Sequence, residues 1–161
     1  GDPHLLPRIV ERAKNKKLVR VGDGKNLVDM IYIDNAVDAH IKAYEKLDLN
    51  SNVAGKCYFV SDDKPVFLWE WIELLLIKLE LPSITKTITF KWAFFLGRIL
   101  EIFHKVFFIK KEPIMTRFLA MQLSKSHYFN ISQAKKDFGY KPLIKNEEGI
   151  KRLVSDYFSR Q

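Results

Sequence analysis

The 161-residue chain has a single cysteine, Cys57, so it cannot form an internal disulfide bond. One unpaired thiol fits a reducing compartment. The four histidines lie far apart and no second cysteine accompanies them, so no metal-binding spacing is present. The sequence also has no internal repeat and no low-complexity segment. With 47% hydrophobic residues, it is typical of a globular chain with one ordinary core.

Long apolar runs are missing as well. The most apolar stretch, 90–108 (FKWAFFLGRILEIFHKVFF), is predicted to be helical but is interrupted by charged side chains. It has no uninterrupted run near the ~20 apolar residues that span a bilayer. Three interpretations stay open: a helix that lies along a membrane surface beside Lys110 and Lys111, a helix that covers an apolar pocket, or an ordinary buried helix.

Acidic residues are fewer than basic ones. Lys and Arg total 27 against 19 Asp and Glu, which gives a net charge of +8. Such a balance favours anionic partners such as cofactor phosphates, nucleic acid or acidic lipid headgroups, or it reflects a solvated basic face. The basic residues are scattered and no RNA-binding sheet motif occurs, so we expect no nucleic-acid partner.

A dinucleotide-binding glycine motif is absent from the chain. The segment Gly22-Asp23-Gly24 lacks the third glycine and the following helix, and therefore predicts a turn. The segment that follows this turn is the most informative part of the chain. Alternation over 27–33 predicts a strand, Asp34 and Asn35 are suitable N-cap residues, and a helical stripe of apolar side chains follows. That stripe contains Val37, His40, Ile41, Tyr44 and Leu47.

The β-prone run 56–61 (KCYFVS) predicts a buried parallel strand, so the local order is strand, helix, strand. In this setting Cys57 is expected to be a small buried hydrophobe and His40 a core histidine. Periodicity and capping residues predict the remaining elements. These are a strand over 18–21, an extended segment over 83–89, a strand-like piece over 126–131, and helices over 4–16, 69–81, 117–123, 133–138 and 147–160.

Several short segments in order resemble the C-terminal half of an extended short-chain dehydrogenase/reductase. They are GDGKNLVD, aromatic-Ile-Asp-Asn-Ala, Ala-His, Ala54-Gly55-Lys56, Trp69, Thr116-Arg117, His127-Tyr128-Phe129 and Gly139-Tyr140-Lys141-Pro142. The most similar branch contains 3β-hydroxysteroid dehydrogenases, sterol-4α-carboxylate 3-dehydrogenases and 2-alkyl-3-oxoalkanoate reductases. The resemblance covers nearly the whole chain but only about half of a family member, and the chain opens without an initiator methionine. We therefore expect a fragment.

The resemblance implies an α/β fold: the last strands of a Rossmann-type sheet and a mostly helical substrate domain. Residues 1–161 would be the C-terminal part of one NAD(P)-binding enzyme. Within it, 35–61 would complete the dinucleotide sheet, whereas 1–34 and 62–161 would lie mainly on the substrate side.

The resemblance also implies site residues. Pro3 and His4 would contact the cofactor, and the substrate side would be formed by His4, Leu5, Asp29, Tyr32, Arg117 and Tyr128. For three of them a simpler role stays open: an exposed helix start for His4, a structural hydrogen bond for Asp29 and a surface charge for Arg117. Val28 stands where nucleotide-sugar enzymes commonly carry an arginine, which favours an apolar substrate.

The implied reaction is hydride transfer between a secondary alcohol and its ketone with NAD or NADP, with a tyrosine as acid/base and a lysine four residues later. None of the six tyrosines has a lysine at that spacing, so the catalytic residues are expected upstream of Gly1 and the chain alone is expected to be inactive. The implied substrates are sterols or long-chain 3-oxo acids of steroid and lipid metabolism.

We further expect a cytoplasmic protein, with peripheral membrane contact through 90–111 and a homodimer of the full-length enzyme as options. Two alternative functions stay open. One is a fragment of a nucleotide-sugar epimerase or dehydratase, and the other is a non-catalytic module that binds membranes or lipids.

Overall fold

The computed structural model describes residues 5–48 and 51–159. Within those ranges the helices are α1 (Leu5–Lys14), α2 (Ile33–Glu45), α3 (Leu68–Lys78), α4 (Phe90–Val106), α5 (Arg117–Ser124), α6 (Ser132–Phe138) and α7 (Asn146–Ser159). The strands are β1 (Val19–Val21), β2 (Leu27–Val28), β3 (Val66–Phe67) and β4 (Lys86–Ile88). The predicted helices are all present, with ends shifted by a few residues.

The chain divides into two compact units. Unit 1 comprises Gly1–Leu27 and Phe67–His127, and unit 2 comprises Val28–Val66 and Tyr128–Gln161. In unit 1, β1 and β4 pair in parallel, with Val21 opposite Ile88. Strands β2 and β3 form a second pair, and the division between the units falls inside both of these strands.

The core of unit 1 is built mainly on α3, whose apolar stripe is fully covered. Trp69 is the largest of these side chains, and its Nε1 donates a hydrogen bond to the Leu123 carbonyl at 2.9 Å. Burial with a satisfied donor is the usual way in which a core accommodates an indole ring. The other buried residues of this helix are Leu68, Ile72, Leu75 and Leu76.

Helices α4 and α5 cross closely because Gly97 has no side chain. A Cβ atom at Gly97 would lie 2.6 Å from the Thr116 carbonyl carbon and 2.7 Å from the Arg117 amide nitrogen. Each helix begins at a threonine cap: Thr89 Oγ1 accepts from Trp92 N, and Thr116 Oγ1 accepts from Leu119 N. Among the described helices none is both long and apolar enough to cross a membrane.

Unit 2 packs α2, α6 and the extended segment before β3 around Tyr140, which is completely buried. The Tyr140 hydroxyl donates to the Ser61 carbonyl at 3.0 Å. Gly139 ends α6 in the left-handed conformation with φ of 70°, which glycine adopts readily at a helix C-terminus. The other members of this core are Ala39, Val53, Ile131, Ala134 and Phe138.

The predicted strand over 27–33 is wrong beyond Val28. Strand β2 ends there, and α2 already begins at Ile33. The reason is that the following backbone bonds to a turn instead of a strand: the Met30 carbonyl accepts from Asp62 N at 2.8 Å. The predicted cap is also wrong, because Tyr32 is the N-cap residue, without a side-chain cap bond, and Asn35 points into the core.

The predicted strand over 56–61 is not formed. Strands need a partner backbone, and no strand among the described residues pairs with this segment. Cys57 is therefore exposed and not buried. The predicted strand-like piece over 126–131 does not form a strand either. It makes one backbone–backbone hydrogen bond to β2, in which the His127 amide donates to the Leu27 carbonyl at 2.9 Å.

The apolar stripe of α2 faces outward, contrary to the prediction. His40 is exposed, with its Nδ1 2.7 Å from the Ala36 carbonyl, so it is not a core histidine. Tyr44 is 77% exposed. Periodicity shows that a helix has an apolar face but does not show what covers that face. The exposed members of the stripe are Ile33, Val37, Ile41, Tyr44 and Leu47.

Candidate functional site

The carboxylate of Asp29 is the polar centre of the candidate site in unit 2. It follows β2 directly, and its Oδ2 accepts a hydrogen bond from the Phe129 amide at 2.7 Å. Its Oδ1 is shielded from solvent and has no hydrogen-bond partner among the described residues. Buried polar atoms are usually paired, so this unpaired oxygen distinguishes Asp29 from an ordinary structural carboxylate.

Aromatic side chains surround the segment that Asp29 holds. Phe129 stacks on Phe59 with ring centroids 4.1 Å apart and planes only 3° from parallel. Tyr128, which precedes Phe129, is 54% exposed, and both stacked rings are exposed as well. The structure therefore brings Asp29 and Tyr128, two of the predicted substrate-side residues, to one segment beside an apolar surface.

Tyr32 lies at the start of α2 and is half-buried. Its ring packs on α7 at Gly149, where a Cβ atom would lie 3.1 Å from Tyr32 Cδ2. The Arg152 guanidinium is 5.9 Å from the ring centroid, within the range of a cation–π contact. The Tyr32 amide donates to Asp62 Oδ1 at 3.1 Å, so both the backbone and the ring of this residue make contacts within unit 2.

Asp62 and Asn35 support this site, and sequence reasoning assigned neither to it. Burial raises the pKa of the Asp62 carboxyl above its usual 3.8, and the negative charge of Asp29 acts in the same direction. Asn35 donates to Asp62 Oδ1 at 2.7 Å. The sequence gives part of the evidence for these two roles. Asp62 begins a turn, and Asn35 belongs to the aromatic-Ile-Asp-Asn-Ala motif that begins at Tyr32.

Arg117 belongs to unit 1, at the start of α5. Its amide and its Nε each donate to a Glu101 oxygen at 2.7 Å. The hydrogen bond from the Arg117 amide, followed by that from its side chain, lowers the pKa of Glu101. The guanidinium thus clamps α5 to α4, and a role toward substrate would have to use its remaining N–H groups.

The other predicted positions fall at the edge of the described residues. Pro3 and His4 lie outside them, and Leu5 is the first residue of α1. In the part of the chain that the structure describes, no group of three or more His, Cys, Asp or Glu side chains could hold a metal ion. A cavity of about 460 Å³ in unit 1 is lined by Arg20, Asp23 and Glu73 among others, and by none of the predicted site residues.

Solved structures with the same fold include complexes of enzymes with NAD. UDP-glucuronic acid 4-epimerase from Bacillus cereus, in complex with NAD, matches with a TM-score of 0.59 and 16% identity over 95% of this chain and 38% of its own. The dTDP-glucose 4,6-dehydratase from Bacillus anthracis, also with NAD, gives 0.57 and 18% over 96% and 39%. Such likeness shows the fold alone. It confirms the predicted fold class, an α/β chain that corresponds to part of a Rossmann-type fold.

The chain belongs to the 3-beta hydroxysteroid dehydrogenase/isomerase family, whose profile matches residues 1–91. It is 46% identical to the 2-alkyl-3-oxoalkanoate reductase of Shewanella oneidensis, over 95% of this chain and 40% of that protein. It is 43% identical to the reductase of the same name from Stenotrophomonas maltophilia, over 95% and 46%. It is 30% identical to the decarboxylating sterol-4-alpha-carboxylate 3-dehydrogenase of Mus musculus, over 97% and 44%. The predicted family is confirmed, and the chain spans less than half the length of these relatives.

Proposed function

We propose that this chain is the substrate-binding half of an NAD(P)-dependent oxidoreductase that interconverts a secondary alcohol and a ketone on a sterol or a long-chain 3-oxo acid. The observation that carries this proposal is the 46% identity to a 2-alkyl-3-oxoalkanoate reductase across 95% of the chain. In the reducing direction, hydride from the nicotinamide would reach the carbonyl carbon and a proton would reach its oxygen, giving an alcohol and NAD(P)⁺.

The candidate site supports an apolar substrate with few polar groups. Its exposed surface combines the stacked rings of Phe59 and Phe129 with Tyr128. Asp29 Oδ1 is a solvent-shielded acceptor with no hydrogen-bond partner in the part of the chain that the structure describes. Pockets for lipid-like ligands have this composition, mostly apolar with a few oriented polar groups. We propose that Asp29, Tyr32, Tyr128 and Arg117 contact the substrate, together with His4 and Leu5.

The dinucleotide would be held mainly by the part of the enzyme that this chain does not span. The described residues lack the glycine-rich cradle for phosphates, so we assign no step to the cofactor here. Pro3 and His4 are the residues of this chain proposed to contact it. The exposed apolar face of α2 and the unpaired segment 56–61 support the proposal that 35–61 completes the dinucleotide sheet, because both resemble surfaces that packing normally covers.

A second candidate is a nucleotide-sugar epimerase or dehydratase, which the names of the solved structures favour. Val28 weakens this candidate, because a nucleotide diphosphate would be bound better by a bidentate arginine at that position. We further propose a cytoplasmic location, and we propose that the apolar segment 90–111 serves the encounter with an apolar substrate, as a lid or as a membrane contact. A lipid-binding module without catalysis is the remaining candidate.

A chimera tests the proposed function. The matching region of the Shewanella oneidensis reductase is replaced by this 161-residue chain. Oxidation of NADH and NADPH is followed with a 2-alkyl-3-oxo acid, and reduction of NAD⁺ and NADP⁺ is followed with a 4α-carboxysterol. Conversion of a UDP-sugar is followed by chromatography, because epimerisation and dehydration consume no free cofactor. We expect turnover of an apolar substrate by the chimera and none by the isolated chain. Asp29→Asn in the chimera should raise KM while the circular dichroism spectrum stays unchanged.

Two results would contradict the proposal. The first is turnover of any of these substrates by the isolated chain, which would mean that the catalytic residues lie within it. The second is a folded chimera that acts on the UDP-sugar and on neither apolar substrate, which would favour the epimerase or dehydratase candidate.

A further inference from the structure

Helix α4 packs against unit 1 with its small residues and turns its largest apolar side chains outward. Ala93 and Gly97 are buried, whereas Trp92 is 68% exposed. We call the outward set the α4 apolar face, and it consists of Trp92, Phe95, Leu96, Ile99, Ile102, Phe103 and Val106. With 3.6 residues per turn these positions share one side of the helix, opposite Ala93 and Gly97. Solvent-exposed faces of this size and composition mark interaction sites.

A row of cations follows one edge of the α4 apolar face. Lys91, Arg98 and Lys105 are spaced seven residues apart, close to two helical turns, and all three are exposed. Within the described residues none of them forms an ion pair. The acid on this side of the helix, Glu101, is engaged by Arg117. The edge therefore presents uncompensated positive charge.

The chain continues this pattern after the helix ends. Phe107 and Phe108 are exposed and precede the exposed lysines Lys110 and Lys111. The helix is about 26 Å long, at 1.5 Å for each of its 17 residues, and these two cations follow its end in sequence. An apolar face with Trp and Phe and a basic border is typical of helices that lie in the interface of a bilayer.

The exposed face of α2 shows that apolarity alone does not produce this arrangement. Its stripe is bordered by the acids Asp34 and Glu45, and the cations near them are paired, Arg152 with Asp34 and Lys42 with Asp38. An anionic surface would repel such an edge, whereas each Lys or Arg near anionic lipid contributes about 1 kcal/mol of attraction. The cations beside α4 therefore favour an anionic surface, whereas the acids beside α2 do not.

We propose that the α4 apolar face docks on the surface of an anionic lipid bilayer, with the helix axis parallel to the membrane plane and the Lys91, Arg98 and Lys105 row at the headgroups. This inference deepens the proposed function and rests on it for the biological role of the contact. An apolar substrate dissolves in the membrane, and an enzyme bound to the membrane surface would encounter it there. The contact is peripheral, and the short helix with its cations lies on the bilayer without crossing it.

Binding of the whole 161-residue chain to vesicles tests this inference. Co-sedimentation is measured with phosphatidylcholine vesicles and with vesicles containing 30% phosphatidylglycerol, at low and high salt. We expect binding to the anionic vesicles that weakens as salt is raised, because screening shortens the reach of the cations. Trp92 is a natural reporter, since it is 68% exposed, whereas Trp69 is 2% exposed and Trp71, the third tryptophan, is half-buried. The Trp92 emission should shift to the blue and be quenched by brominated lipid, and Trp92→Phe should remove that response.

Matched variants locate the contact. Phe95→Glu with Ile99→Glu should abolish binding, and replacing Lys91, Arg98 and Lys105 by Ala should weaken it roughly a hundredfold, at about fivefold per cation. Two control variants should bind like the unmodified chain. They are Ile41→Glu on the exposed face of α2, and Ala at the exposed lysines 136, 141 and 151 in unit 2. Circular dichroism establishes that each variant is folded.

Failure of the unmodified chain to bind anionic vesicles would overturn the inference, and so would equal loss with the unit 2 lysine variant. A concentration-dependent dimer that Phe95→Glu with Ile99→Glu dissociates, without vesicle binding, would assign the face to a second copy instead. A Trp92 shift with a soluble 3-oxo acid but not with vesicles would assign it to a lid. The chimera assay is independent of these measurements, so loss of this inference leaves the proposed function standing, and the reverse also holds.

Discussion

Asn35 donates a hydrogen bond from its side-chain amide to Asp62 Oδ1 at 2.7 Å, and Asn35 is completely buried. The same amide donates to the Ile144 carbonyl, and its Oδ1 accepts from the amides of Leu143 and Ile144. One side chain thus satisfies both the turn after the segment 56–61 and the loop before α7. The site of unit 2 is built on this connection, because Asp62 in turn holds the amide of Tyr32.

Replacing Asn35 by Ala should destabilise the chain by about 3 kcal/mol. The substitution leaves a carboxylate and three backbone groups without their partner, and each unsatisfied buried group costs roughly 1–3 kcal/mol before water or relaxation compensates. Urea unfolding followed by circular dichroism measures the loss. Asn15→Ala is the matched control, because Asn15 bonds only the Glu11 carbonyl at an exposed position, and it should stay within about 0.5 kcal/mol of the unmodified chain. A similar small effect for Asn35→Ala would contradict the assigned role.

Asp62→Asn should stabilise the chain at neutral pH and lose that advantage in acid. Burial raises the pKa of Asp62 in the folded state above the 3.8 of the unfolded chain, so the folded state binds the proton more tightly. The stability from this proton is fully present below pH 3.8 and is lost as pH rises through the folded pKa. Asparagine keeps an acceptor for Asn35 and Tyr32 but carries no charge. Denaturant melts from pH 3 to 7 give the free energy of unfolding of both proteins. The value for Asp62→Asn should rise above that of the unmodified chain as pH rises, and a constant difference would rule out a raised pKa of Asp62.

Gly97→Ala should destabilise unit 1 although alanine favours helices. The added Cβ would lie 2.6 Å from backbone at Thr116, which cannot rotate away, so α4 and α5 would have to separate. Overpacking of this kind costs about 1–3 kcal/mol, more than the roughly 1 kcal/mol gained in helix propensity. Gly149→Ala is the control, because its Cβ would meet the edge of the Tyr32 ring at 3.1 Å, where a side chain can shift. Thermal melts should rank Gly97→Ala clearly below Gly149→Ala, and the opposite order would contradict the close crossing.

The helices and the glycine conformations could be predicted from the sequence because they depend on local rules. Apolar spacing predicted α3 and α4, and Gly139 ends α6 with the positive φ that its position required. Resemblance, carried by short motifs such as GDGKNLVD, predicted the family that the profile over residues 1–91 confirms.

Strand pairing and the facing of helices could not be predicted, since both depend on neighbours that local patterns do not reveal. The run 56–61 has strand composition, but no described strand lies beside it. The stripe that includes Ile41 and Tyr44 is apolar, but the structure leaves it exposed. Asn35 has the side chain and the position of a helix cap, so the local sequence predicts that role. Its actual partners, the loop at Ile144 and the turn at Asp62, are distant in sequence and cannot be predicted from local patterns.

Asp137→Asn should destabilise unit 2 at neutral pH, and the difference should vanish near pH 2. Hydrogen bonds from Gln133, Tyr58 and Lys56 lower the pKa of Asp137 to about 2, so the stability they bring is present above the unfolded value of 3.8 and is lost as pH falls through 2. The Tyr58 hydroxyl donates to Asp137 Oδ2 at 2.7 Å, which joins the unpaired segment 56–61 to α6.

Denaturant melts at pH 2, 4 and 7 measure the effect of Asp137→Asn, with the exposed Glu45→Gln of the same unit as the control for loss of one negative charge. A second measurement is the absorbance titration of the six tyrosines. Burial and the hydrogen bond to Asp137 raise the pKa of Tyr58 to about 12, and burial raises the pKa of Tyr140 to about 12 as well. Two tyrosines should therefore ionise at higher pH than an ordinary tyrosine, and in Asp137→Asn only Tyr58 should move to lower pH. If the carboxylate did not hold this segment, the variant would show neither the convergence of the melts in acid nor the shift of the tyrosine.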